Sequence, residues 1–253
     1  MSPAEANLQA PLYPWSPDGD AAANFAIYNL RENLLSWVAH EGRIHCETLM
    51  CVLGSLAGFS ALNAVLEEYV KQKKPIPENG FLEVSTNSGE KFYFGDLLNA
   101  YIVPQPGGTQ HTLWAYVAGA LVAGGVDQQD LPDVNPLFQK AAETVGSVEF
   151  GFLDVPDEHQ PHIPPKTVLE LFWMPTVGIF TYEKDFGPGH SKNVDPLYWT
   201  ILIAMAVHTF IGQTKEIIPP VLAGKIVMES AIIASKYDGA QIAFRQAELN
   251  FAE

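Results

Sequence analysis

Eighteen consecutive residues, Leu49 to Leu66, carry no charge. That length is the lower limit for a helix spanning a bilayer. It is equally what a helix buried on all sides of a helical domain requires. Ser55, Ser60 and Asn63 weaken the membrane reading, although Lys71, Lys73 and Lys74 follow closely. A second apolar window, Leu197 to Gly212, has 16 residues and is too short to span. The expectation is a mainly α, multi-helix globular fold around one central helix, about 44–70, with no membrane partner. Gly54, Gly58 and Ala61 form a stripe on that helix where another backbone can approach closely.

Composition narrows the function classes. Fourteen basic residues against 29 acidic ones give a net charge of −15. Nucleic-acid binding needs clustered Lys and Arg, and here they are scattered. An anionic membrane surface is disfavoured for the same reason. Charged residues make up only 17 %, against about 25 % in typical globular domains. With 47 % hydrophobic residues, much surface must be hidden, and self-association into a homodimer is one way to hide it. A chain of 253 residues can bury a large core without disulfide or metal staples. Cys46 and Cys51, five apart on one helix, diverge by about 140° and stay free thiols, which fits a reducing compartment. The start of the chain shows neither a basic nor an apolar leader region, so the expected location is cytoplasmic.

Punctuation by Pro and Gly sets the order of elements. Residues 1–19, with four prolines, read as an irregular arm, and residues 20–253 as one mainly helical domain with a possible sub-boundary at 147–166. Ile27, Leu30, Leu34 and Trp37 recur at helical spacing after Asp20, and Gly42 stops or kinks that helix. A β-hairpin is expected at about 81–94. There Leu82 and Val84 alternate with polar residues around the Asn87–Glu90 turn, as in a half-buried strand. Further helices are expected at 96–103, 109–122, 135–145, 195–212 and 219–236, with two apolar segments bracketing a polar loop at 183–193.

Reactive side chains concentrate at His40–Glu47. His40 and His45 are five apart, not the four that place two imidazoles on one helix face, so a zincin-type motif fails. His45-Cys46-Glu47 spells part of a deaminase signature without its later cysteine pair. What the spacing allows is Glu41 beside His45 and Arg43 beside Glu47 in a continuous helix; a break at Gly42 removes the first pairing. Two imidazoles and two carboxylates in the loop Asp157-Glu158-His159-Gln160-Pro161-His162 offer metal-type ligands without fixed geometry. No complete metal set and no cofactor motif is legible.

Other signals are single residues. Asp96 is placed to cap a short helix, and Thr109 to cap the next, with His111 nearby. His208 lies in an apolar helix, where a lone histidine is expected to be a bonded core residue. Glu229 has Lys225 as its i−4 partner. His190 sits in a Gly-rich loop suited to binding, and Trp173, Tyr198 and Trp199 suit a pocket wall or a core. Two readings follow. The first is a homodimeric binding or interaction protein. The alternative is a small-molecule enzyme working by His/carboxylate acid–base chemistry in an interhelical pocket. His45, Glu47 and His208 are the catalytic candidates for that pocket, and Asp96, His111 and His190 the ligand-binding ones.

Overall fold

The uncharged run forms α2 (Cys46–Val65), continued by one π-helical turn, Leu66–Lys71. Nineteen of the 20 residues of α2 are buried, all but Asn63. The computed structural model describes residues 20–243, so the expected arm at 1–19 lies outside the described residues. Around α2 pack α1 (Ala21–Val38), α3 (Asp96–Ile102), α6 (Pro165–Thr181), α7 (Trp199–Thr214) and α8 (Pro220–Ala234). α4 (Leu113–Ala123) packs on α7 and α8, and α5 (Asn135–Thr144) on α8. Among the described residues the fold is therefore mainly α, with eight α-helices and two small antiparallel ribbons.

The small-residue stripe faces α8. A Cβ at Gly54 would collide with the Val227 carbonyl, and one at Gly58 with the backbone of Ala231. The close approach anticipated from Gly54 and Gly58 is thus made within the chain, and the stripe is not available to a second copy.

By length and composition, two helical stretches can cross a membrane: Cys46–Lys71 and Pro196–Thr214. The second was expected to be too short. The 3-10 turn at Pro196–Tyr198 runs directly into α7 and brings the stretch to 19 residues. Within the chain, 89 % of the first apolar window is buried and 61 % of the second.

Local signals place most boundaries. The Asp20 side chain accepts from the N–H groups of Ala22 and Ala23 and opens α1. Glu41 and Gly42 both take positive φ (50° and 73°), which makes a two-residue turn between β1 (Ala39–His40) and β2 (Arg43–Ile44). α1 has already ended at Val38, before this turn, so the stop expected at Gly42 falls four residues earlier. The predicted hairpin is present as β3 (Leu82–Ser85) and β4 (Lys91–Phe94), with Val84 opposite Phe92. Its burial differs from expectation. Leu82 and Val84 are both exposed, because β3 is the outer strand and only β4 meets the body, through buried Phe92 against Phe150 and Tyr237. α4 also starts later than expected. Thr112, whose hydroxyl accepts from Ala115 N–H, is its cap, while the Thr109 hydroxyl bonds only the N–H of His111 in the preceding turn. Asp96 occupies the first turn of α3 without capping it; Gly95 stands at the cap.

The segment 147–166 is fastened to the helices on both sides of it. The Asp154 N–H donates to both Glu229 oxygens at 3.0 Å, and the His162 N–H donates to the Thr48 hydroxyl at 2.9 Å. Glu229 is buried and paired with Lys140 (2.7 Å), not with Lys225, which instead reaches Asp154 (2.9 Å). Packing α5 against α8 brings Lys140 to Glu229, and tertiary placement overrides the i−4 rule.

Candidate active site

Two sequence segments about 110 residues apart meet at the start of α2. The β1–β2 ribbon between α1 and α2 leaves His45 outside the helix as the N-cap of α2, with a β-region backbone, so the expected Glu41–His45 helical pairing does not form. Arg43, on β2, likewise loses its helical relation to Glu47. The His45 side chain turns back instead. Its Nδ1 accepts the Thr48 N–H (3.3 Å) and lies 2.9 Å from the Thr48 hydroxyl. A ring nitrogen that accepts a backbone N–H carries no proton, so the neutral ring holds its hydrogen on Nε2. That nitrogen is 3.3 Å from Glu47 Oε2.

The other Glu47 oxygen is taken by the loop. The Pro156–Pro161 frame closes a 3-10 turn at Asp157–His159, and His159 Nδ1 lies 2.7 Å from Glu47 Oε1. His162, three residues on, stacks its ring on His45 with centroids 3.8 Å apart and planes 13° from parallel. The Thr48 hydroxyl accepts the His162 N–H and locks this stack in place. The result is a chain of contacts, Thr48–His45–Glu47–His159, with His162 covering one ring.

Electrostatics follow from that arrangement. Burial opposes ionisation of Glu47, but the His159 hydrogen bond, its own backbone N–H and the nearby imidazoles outweigh it and hold the carboxyl below its ordinary value. Glu47 is ionised at neutral pH. Burial, reinforced by His162 and His159 and opposed by Glu47, pushes the His45 pKa down, so this ring is neutral there. Burial and the adjacent Glu47 charge push the Cys46 thiol up, which keeps it protonated and a poor nucleophile. Side-chain exposures of 29 % for His45 and 28 % for His159, against 12 % for Glu47, describe two accessible rings on a sheltered carboxylate. Beside them, Asp157, Gln160 and His162 help to line a cavity of about 430 Å³.

The donors run in sequence and do not surround a point. Among the described residues, no group of three or more His, Cys, Asp or Glu side chains is placed to hold a metal ion.

The remaining candidates separate. His208 is exposed, not a core residue, because α7 turns that face toward α4. There it shares a groove with His111. It does not meet Glu229, which is occupied by Lys140 and Asp154. His190 accepts the Ala21 N–H at 3.2 Å and, with Ser191 bonded to Asp20, ties the 183–193 loop to the start of α1. Asp96 is exposed on α3, away from both histidine sites. Trp173 meets Phe59 in a T-shaped contact and tilts against Trp199, which in turn tilts against Phe180; both indoles also border a cavity beside Asn63 and Asp195.

Sequence reasoning held both halves of the site without joining them. His159 and His162 stood out only as loosely spaced ligands, and Thr48 gave no signal at all. No protein-family profile, curated protein sequence or solved structure matches this chain.

Proposed function

We propose that this protein is an enzyme that uses general acid–base chemistry on a small molecule, with His159 as the base. The observation that carries the reading is the 2.7 Å contact between Glu47 Oε1 and His159 Nδ1. A carboxylate bonded to Nδ1–H leaves Nε2 as an unprotonated acceptor and stabilises the imidazolium that forms when Nε2 takes a proton. Glu47 is the orienting carboxylate. His45 and Thr48 are positioning residues: His45 holds Glu47 from its other oxygen, and Thr48 fixes the His45 ring. A small polar substrate would sit in the cavity lined by Asp157, Gln160 and His162, which flank His159 in the loop although His159 itself is not part of the cavity wall.

Two measurements test this. Nitrogen-15 spectra of the imidazoles are expected to show His159 protonated on Nδ1 and His45 on Nε2 at neutral pH, with the His159 tautomer mixed in Glu47→Gln. Hydrolysis of 4-nitrophenyl acetate, as a generic probe for a nucleophile-activating base, is expected to fall about 100-fold in His159→Gln and in Glu47→Gln. An unchanged rate in both variants sinks the reading.

A further inference from the structure

The groove between α4 and α7 shares no residue with the Glu47–His159 centre, and its construction differs. It encloses about 460 Å³, within the range of small-molecule sites. Ala115, Gly119 and Met205 form an apolar floor, while His111 and His208 stand along it. None of its lining residues is Lys, Arg, Asp or Glu. Tyr116 Oη lies 3.4 Å from His111 Nδ1, which engages that nitrogen and leaves Nε2 for another group. Among the described residues the His208 ring has no hydrogen-bond partner.

Gly119 is the informative position. A glycine inside a helix costs about 1 kcal/mol relative to alanine, so packing normally has to require it. Here packing does not. A Cβ at Gly119 would meet only His208 Cδ2, at an ordinary 3.8 Å. What the missing side chain provides is depth in the groove.

We infer that the α4–α7 groove is a binding site for an uncharged, hydroxylated aromatic molecule of one or two rings. An aromatic body suits the Met205 thioether and the Tyr116 and imidazole faces. A hydroxyl matches His111 Nε2 and His208, each able to donate or accept according to tautomer. A charged ligand has no counter-charge in the wall, and an anion also meets a chain of net charge −15.

The probe is 2-naphthol at pH 7, titrated into the full-length protein and followed by the ring signals of His111 and His208. Benzoate and benzylammonium serve as charged comparators. Saturable 2-naphthol binding tighter than about 1 mM is expected, with both comparators at least about tenfold weaker. Gly119→Leu fills the floor and is expected to abolish binding while helix content and melting temperature hold. His208→Ala, an exposed change, is expected to weaken binding about tenfold. Absence of saturable binding, equal binding of benzoate, or 2-naphthol binding that survives Gly119→Leu overturns the assignment.

Discussion

The α2–α8 seam and the α4–α7 groove both place glycine on a helix, and for opposite physical reasons. At Gly54 and Gly58 the carbonyls of Val227 and Ala231 occupy the space a side chain would need. At Gly119 the space is open. One pair of helices is in backbone contact at both glycines, while the other, also packed, leaves an open groove with two histidines beside Gly119. The same residue type therefore marks rigidity in one place and room in the other, and only its neighbours say which.

The largest test of this contrast is Gly58→Ala. The added methyl has nowhere to go unless α8 moves, so a loss of about 3 kcal/mol or more is expected in urea unfolding. A loss under about 1 kcal/mol would mean that the seam yields, and the contrast fails.

Next comes Lys236, one turn beyond the tight seam. It is 2 % exposed, with Asn99 Oδ1 at 3.4 Å and the rings of Phe94 and Phe138 around its ammonium. Burial lowers its pKa to about 8 from the ordinary 10.5. Below pH 8 the amine is charged in both folded and unfolded chains, and the folded chain bears the desolvation cost. Between pH 8 and 10.5 folding releases its proton, so its contribution to stability rises with pH. Cys51, pushed up to about 11 by burial, acts oppositely above pH 9, so the clean observable is a difference. The stability advantage of Lys236→Met over the parent is expected to shrink by about 3 kcal/mol from pH 8 to 10.5. A constant difference would place that amine in water.

A smaller effect is expected at low pH. Glu47 is held below its ordinary pKa, so its stabilisation is complete above about pH 4.5 and fades as pH falls further. His45, also lowered, adds stability that is lost as pH drops through 6.5. Thermal melts should thus show an acid limb beginning near pH 6.5, and Glu47→Gln should flatten its lower part. An identical limb in the variant would detach Glu47 from the site.

The smallest expected change returns to the groove. Gly119→Ala should raise stability by about 0.5–1 kcal/mol, opposite in sign to the same substitution at Gly58. Destabilisation there would show that α4 and α7 close on each other after all.

The sequence by itself determined the helical class, the central position of α2, and the hairpin with its turn. These are local: an uncharged run and a glycine that tolerates positive φ depend on neighbours a few residues away, whereas the caps expected at Asp96 and Thr109 fell instead on Gly95 and Thr112. The same locality explains the failures. Lys225 was the nearest base to Glu229 along the helix, yet Lys140 pairs with it because α5 docks on α8. His208 looked like a core residue, because an apolar helix does not reveal which face a groove will leave open. The Glu47–His159 contact spans a separation of 112 residues and depends on α1 ending at Val38 and the Glu41–Gly42 turn separating it from α2, which leaves His45 to cap the next helix. Which polar groups meet is set by how helices dock, and docking depends on the summed burial of many side chains at once. Tertiary structure alone decided both histidine sites.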